Sequence, residues 1–325
     1  MKAIVVHKYG GPEVLKVEKI PAPKPAAKEV LVRLHAAGVN PVDTYVRAGM
    51  FSHVPAFSKL PYVPGMDGAG IVEEIGSGVT RFKKGDRVFT YSLSQGQYAQ
   101  YCACPEDRCW PLPSSLSFQQ GATIGIPYFT AYRALFQADK SKSVKTLLVH
   151  GASGGVGLAA VQLAREAGMT VYGTAGTETG LKLVKDVGAD QVFNHRKKGY
   201  QEMIREATKG EGVDMILEMI ANVNLPKDMQ LISKGGIIAV VGSRGSVQID
   251  PGALLGNEGR IVGVAVLTMS HDDLTEAGSA IVHGLSDGTL TPIIDKEYSF
   301  HDAPVAHKDI IESPGAKGKL VITIQ

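Results

Sequence analysis

Lys145-Thr146-Leu147-Leu148-Val149-His150-Gly151-Ala152-Ser153-Gly154-Gly155-Val156-Gly157 is the stretch that decides the fold of this chain. An apolar run from Leu147 to Val149 stops at a glycine cluster. A helical pattern then begins at once, with Val156, Leu158, Ala159, Val161 and Leu163. Strand, tight glycine turn and helix is the context that a dinucleotide pyrophosphate requires. Gly151 lets the chain turn off the strand, Gly154 lets phosphate approach backbone, and Gly157 lets the helix sit close on the sheet. The N–H groups at the helix start face the anion, and the helix dipole favours it.

Two other readings compete. One is a tight turn without a ligand, since Ala152 stands in place of a fingerprint glycine. The other is a nucleophile elbow, because Gly151-Ala152-Ser153-Gly154-Gly155 also fits G-x-S-x-G. The chain downstream of the turn separates them. Apolar strands at 145–150, 170–174, 190–194, 213–219, 236–242 and 260–266 alternate with helical patterns at about 155–168, 178–187, 200–209, 224–233 and 273–284. Strands of that kind indicate a doubly wound parallel sheet, buried on both faces. A hydrolase sheet would be partly built before its nucleophile turn, whereas this turn comes after the first strand of the series. Dinucleotide binding prevails, with Ser153 as a donor to a phosphate oxygen.

Residues 1–122 read differently, as short strands cut by Gly and Pro. Val30-Leu31-Val32-Arg33-Leu34-His35-Ala36 alternates apolar and polar residues, so one face is solvated. Many such strands suggest a barrel-like β domain, with 51–64 as a loop. Helical periodicity runs from Phe118 to Phe136, with Pro127 kinking or starting a helix. The tail holds a strand near 293–298, a helix near 302–312 and a last strand at 319–324. The expected layout is an α/β chain in which a β domain (1–122, resumed at 268–325) is interrupted by the parallel-sheet domain (123–267).

At 325 residues, with 44% hydrophobic and 20% charged residues, the composition is that of a globular protein with a sizeable core. Lys and Arg total 34 against 32 acids, a formal charge of +2, and no aromatic-basic stripe appears, which argues against nucleic acid as the main partner. No apolar run approaches membrane-spanning length. The N-terminal Met1–His7 is too short and too soon polar for a signal peptide, and three cysteines fit a reducing, cytoplasmic setting.

Gly38-Val39-Asn40-Pro41, Pro64-Gly65-Met66-Asp67-Gly68-Ala69-Gly70, Gly85-Asp86-Arg87-Val88 and Ile124 to Tyr132 resemble the medium-chain dehydrogenase/reductase superfamily. Ala152 to Gly157 with Gln162 and Arg165, then Gly173 to Thr177, Asn194-His195-Arg196, Ala221 to Asn224 and Val241 to Gly245 are similar to its NADPH:quinone reductase and zeta-crystallin branch. The resemblance covers essentially the whole chain. It implies a GroES-like β-barrel catalytic domain interrupted by a Rossmann domain, with the active site in the cleft between them. Zinc members of the superfamily hold their metal with Cys, His and Cys; the matching positions here are Asn40, Met66 and Ile126, which suits no metal. Cys102, Cys104 and Cys109 read as packing residues.

Dinucleotide folds that select NADH place an acid at the end of the second strand. Here that end reads Gly173-Thr174-Ala175-Gly176-Thr177, and the first acid is Glu178. A neutral pocket followed by His195-Arg196-Lys197-Lys198 predicts NADPH; the alternative is that the basic run is a solvated loop. The resemblance places Gly176 in the phosphate pocket, His195 at the adenosine end, and Ser153, Gly154, Gly155 and Val156 on the pyrophosphate. It also places Asn224, Val241, Gly242, Ser243, Arg244, Val264, Ala265 and Val266 along the strand ends, and Asn40, Tyr45 and Thr130 near the nicotinamide. Tyr45 and Tyr128 are candidate hydrogen-bond donors to substrate; the bland alternative is a packed tyrosine, in a loop for Tyr45.

The implied activity is zinc-independent reduction of a quinone, whose product gains aromaticity and needs no Lewis acid. Zeta-crystallin-like enzymes release semiquinone. Two alternatives stay open: an NADPH-dependent reductase of activated enones, and a cofactor-binding structural or RNA-binding crystallin-like protein. Arg260 to Leu267, an apolar strand expected at the sheet edge, predicts a homodimer or homotetramer.

Overall fold

The structure, a computed structural model, describes residues 1–92, 96–139 and 143–324. It divides into two compact units: Met1–Ile126 with Gly278–Ser313 and Gly318–Gln325, and Pro127–Ala277 with Pro314–Lys317.

The N-terminal stretch supplies β1 (Lys2–Val5), β2 (Lys16–Lys19), β3 (Glu29–Val39), β4 (Asp67–Ile75), β5 (Arg87–Tyr91), β6 (Tyr101–Pro105) and β7 (Cys109–Pro111), with helices α1 (Pro41–Arg47) and α2 (Phe118–Gly121). Helix α3 (Gly125–Tyr132) follows. Then come β8 (Thr146–Val149), α4 (Gly155–Glu166), β9 (Thr170–Ala175), α5 (Glu178–Asp186), β10 (Gln191–Asn194), α6 (Tyr200–Ala207) and β11 (Val213–Glu218). The series continues with α7 (Ala221–Asp228), β12 (Ile232–Val240), α8 (Gly252–Leu255), β13 (Arg260–Gly263) and α9 (His271–Asp287), and the chain ends on β14 (Ile294–Ser299), α10 (Ala303–Glu312) and β15 (Lys319–Thr323).

In the first unit the strands order as β14-β15-β3-β4-β5-β7, with β6 also paired to β3, and β1 and β2 form a separate ribbon. Long β3 is buried along most of its length, with Leu31 buried as well as its neighbours and only Glu29, Arg33 and His35 part-exposed. The expected alternation with one solvated face gives way to burial, and Val30, Val32, Leu34, Ala37 and Val39 join one core with Leu320 and Ile322 of β15. Cys102, Cys104 and Cys109 lie in that same core, as apolar packing residues.

The second unit is a six-stranded sheet ordered β10-β9-β8-β11-β12-β13, with every pairing parallel. The chain winds outward from β8 on one side and returns to build β11 on the other. That reversal opens a crevice at the carboxyl ends of β8 and β11, where doubly wound folds bind ligands. Leu147, Leu148 and Val149 are fully buried, as a strand covered on both faces demands; each contributes roughly 1.5–3 kcal/mol of transfer free energy.

Four local expectations change. The helical stretch 118–136 is broken rather than continuous: α2 ends at Gly121, and a π-helical turn, Arg133–Gln137, follows α3. Pro127 lies in the first turn of α3, where the missing N–H is tolerated, in keeping with a proline that starts a helix. Helix α7 starts at Ala221 rather than near 224. Tyr45 sits on α1, not in a loop: Asn40 caps that helix, Pro41 occupies its first position, and Asp43 accepts the Asn40 N–H at 2.8 Å. Finally β13 stops at Gly263, and Val266–Thr268 form a 3₁₀ turn, so Arg260 to Leu267 is not one long strand although β13 does lie at the sheet edge.

Candidate functional site

The glycine turn leaves β8 with Gly151 at φ +58°, a conformation that disfavours any side chain. Thr174 of β9 pins it: its carbonyl accepts the Ala152 N–H at 2.8 Å, and its hydroxyl accepts the Gly151 N–H at 3.2 Å. Gly157 lies so close to the turn that a Cβ would stand 2.5 Å from the Ala152 Cα. The helix start is therefore pressed against the strand end. Gly154 is the extended N-cap of α4 and no side chain caps it, while a Cβ there would meet nothing nearer than 3.5 Å. Ser153 is buried beside it. The imidazole of His150 turns away, its nitrogens facing Thr174 and Asp228, so the turn has no local base of the kind a nucleophile elbow needs.

At the other end of the crevice, β9 runs into Gly176 and then Thr177, whose hydroxyl caps α5 by accepting the Gly180 N–H at 3.1 Å. A Cβ on Gly176 would lie 2.8 Å from both Arg196 Nε and His195 Nε2. The missing side chain thus leaves a small cradle walled by an imidazole and a guanidinium, with no carboxylate on the strand end. Partial desolvation, with the charges of His150 and Arg196, lowers the pKa of His195 although its side chain is exposed, so the standing positive charge there is Arg196. The basic run splits: Arg196 faces Gly176, whereas Lys197 reaches toward Glu178 at 3.9 Å on the exposed surface.

The strand-end loops are held from below. The Asn222 Oδ1 accepts the Arg244 N–H at 2.8 Å, and the Glu218 carbonyl accepts the Val241 N–H at 2.8 Å and the Gly242 N–H at 3.3 Å. The Ser243 hydroxyl donates to the Gly245 carbonyl at 2.9 Å. Asn224, on α7, donates its amide to both oxygens of Glu218 at 3.2 Å. Val264 and Val266 are buried and Ala265 is exposed just past β13. Thr130 is buried on α3, and the Tyr128 hydroxyl, also buried, accepts from Gln162 at 3.4 Å, its pKa raised by burial.

In the first unit Asn40 is 1% exposed. Its amide nitrogen donates to Asp67 at 2.9 Å, and its oxygen accepts from the Lys319 ammonium. The other oxygen of Asp67 accepts the Ile126 N–H at 2.7 Å. An amide, a thioether and an aliphatic side chain at 40, 66 and 126 do not fit a zinc centre, and a buried ammonium already answers the adjacent carboxylate. Tyr45 lies half-buried on α1, the helix that Asn40 caps.

Sequence reasoning missed the buried group His150, Glu218 and Asp228. Its one trace is a polar residue ending each of two apolar runs, Leu147–Val149 and Met215–Leu217. Among the described residues this is the one grouping of imidazole and carboxylate atoms close enough to share a cation. Its atoms are instead engaged with one another and with backbone: His150 Nε2 is 2.9 Å from Asp228 Oδ1, and Glu218 accepts from the Ile220 N–H and from Asn224.

Comparison with known proteins extends this picture. The family described as alcohol dehydrogenase GroES-like domain matches residues 26–114, and that described as zinc-binding dehydrogenase matches residues 155–282. The rat protein named quinone oxidoreductase is 46% identical over 325 residues, covering 100% of this chain and 98% of the relative. A Burkholderia protein named 2-haloacrylate reductase is 31% identical, with 94% of each chain covered. The crystal structure of Escherichia coli quinone oxidoreductase complexed with NADPH superposes with a TM-score of 0.89 at 29% identity, covering 100% of both chains.

Proposed function

We propose a reaction for a chain that belongs to the quinone oxidoreductase family of medium-chain dehydrogenases/reductases: it reduces quinones with NADPH, without zinc. The observation that carries the cofactor is the Gly176 cradle, where the absent Cβ, His195 and Arg196 leave space and positive charge for a 2′-phosphate and the strand end carries no acid to repel it. Ser153, Gly154, Gly155 and Val156 would hold the pyrophosphate at the start of α4. Asn224, Val241, Gly242, Ser243, Arg244 and Val264 to Val266 would line the strand ends beside it, and Asn40, Tyr45 and Thr130 the nicotinamide.

Bound NADPH supplies a hydride, two electrons with one proton, and a quinone that also takes a proton becomes a hydroquinone. The protein's share is orientation and exclusion of water. No alkoxide forms, so no Lewis acid is required, which agrees with the side chains at 40, 66 and 126. Tyr45 and Tyr128 are the hydroxyls proposed to donate a hydrogen bond to the substrate oxygen.

The 2-haloacrylate reductase relative favours a second reading, reduction of an activated alkene. NADPH consumption across a panel of small quinones and activated enones separates the two: quinones dominate on the first reading, enones on the second. No helix among the described residues is long and apolar enough to cross a membrane. We place the enzyme in the cytoplasm as a homodimer or homotetramer joined through β13. A near-neutral charge speaks against a principal RNA partner.

A further inference from the structure

Three buried titratable side chains meet under the glycine turn, at the reversal point of the parallel sheet. His150 follows β8, Glu218 ends β11 and Asp228 ends α7. None is more than 3% exposed. His150 Nε2 lies 2.9 Å from Asp228 Oδ1 and 3.9 Å from Glu218 Oε2.

Each end of the cluster reaches a part of the dinucleotide crevice. On one side, His150 Nδ1 is 3.3 Å from the Thr174 hydroxyl that accepts the Gly151 N–H. On the other, Glu218 grips the Asn224 amide by its carboxylate and the Val241 N–H by its carbonyl. The imidazole therefore buttresses the turn through Thr174, the Glu218 carboxyl holds Asn224 on α7, and Asp228 holds the imidazole, while the strand-end loop hangs on the backbone carbonyl of the same Glu218.

The charge balance of this group is poised. With a proton on His150 and another on Glu218 the cluster is neutral; with Glu218 ionised it carries a net negative charge in a buried place. The charged and titratable groups facing it are Lys227 on α7, Tyr200 on α6 and His195 past β10. Burial first, then the Asp228 carboxylate, push Glu218 up to about 7 against the attraction of His150. Burial pulls the His150 pKa down, but the Asp228 hydrogen bond and the two acidic neighbours outweigh it and leave it raised. Asp228 Oδ2 is buried without a hydrogen-bond donor, an acceptor that a protonated Glu218 beside it can serve.

We propose that His150, Glu218 and Asp228 are a proton-linked positioning cluster for the cofactor, so that loading the anionic dinucleotide draws a proton from solvent onto the Glu218 carboxyl. The inference rests on reading the glycine turn as a dinucleotide site. A pyrophosphate set above the cluster disfavours a further negative charge beneath it and so raises the proton affinity of the carboxyl. The sign is set by linkage: binding takes up a proton, so affinity falls as pH rises through the neighbourhood of pH 7. The neutral cluster also keeps Glu218 oriented on Asn224.

The test is calorimetric titration of the full chain with NADPH near pH 7, in two buffers of different ionisation heat, for wild type and Glu218→Gln. The cofactor's 2′-phosphate titrates near pH 6 and contributes alike to both proteins, so the difference reports the cluster. The expected result is net proton uptake larger in wild type, with affinity falling ~3–10-fold more steeply between pH 6 and pH 8 than in the variant. Equal uptake and parallel pH profiles overturn the proposal while leaving the dinucleotide reading intact; failure of wild type to bind NADPH at any pH overturns both. If Glu218→Gln does not fold, Asp228→Asn serves: removing that carboxylate shifts the uptake to lower pH, and an unshifted profile overturns the proposal.

Discussion

Lys319 and Asp67 form a buried ion pair, with Nζ 3.4 Å from Oδ2, and together they hold the amide of Asn40 in one orientation. A lysine ammonium only donates and an ionised carboxylate only accepts, so the amide oxygen must face Lys319 and its nitrogen Asp67. Burial acts against both charges, pushing the Asp67 carboxyl up and the Lys319 ammonium down. Each is tolerable because the other is there. Lys319→Met, which strands the carboxylate, is expected to destabilise the fold by about 3–5 kcal/mol in denaturant unfolding. The double variant Lys319→Met, Asp67→Asn should recover much of that loss. Equal stability of wild type and the single variant would contradict the pairing.

Arg196 walls the Gly176 cradle. Arg196→Ala should weaken NADPH binding ~10–100-fold, the range of a lost charge-assisted hydrogen bond, and leave NADH binding nearly unchanged. Added salt should narrow the gap between wild type and variant, because the attraction is screened. Parallel losses for both cofactors in a fluorescence titration would remove Arg196 from the 2′-phosphate pocket.

Gly157→Ala inserts a methyl group 2.5 Å from the Ala152 Cα, where only backbone movement can relieve it. The expected stability loss is about 1–3 kcal/mol. Weaker cofactor binding should accompany it, since the turn and the helix start move together. A variant with wild-type stability and affinity would mean that the close approach of α4 does not matter.

The glycine turn and the strand at Val30–Ala36 were legible because both are local, Gly151 to Gly157 and the apolar run each carrying their signal within a few residues, although the strand is buried more fully than an alternating pattern implies. Helix α1 was not, for seven residues opening on Pro41, after the Asn40 cap, are too few to show a helical period. Val264 to Val266 look like more strand, but the chain leaves the sheet at Gly263. The buried networks were invisible for another reason. Lys319 and Asp67 are 252 residues apart, and His150 and Asp228 are 78 apart, so no spacing rule brings them together. Asn40 shows the mixture: its match to a metal-ligand position came from the sequence, its burial between Asp67 and Lys319 from the structure.

The exposed edge of β13 should be covered in solution. Ile261 on that strand is 36% exposed and Leu255 on α8 is 80% exposed. Sedimentation at micromolar concentration should give a dimer or tetramer, and Ile261→Asp should shift it toward monomer. Wild-type protein that sediments as a monomer throughout would contradict assembly through this edge.

The most direct measurement is NADPH oxidation by the exhaustively chelated protein with small quinones, run beside NADP⁺ reduction with primary and secondary alcohols. Full quinone turnover after chelation, no gain on adding zinc, and no alcohol oxidation are the predicted results. Quinone turnover that disappears on chelation and returns with zinc would contradict the metal-free account, and so would robust alcohol oxidation.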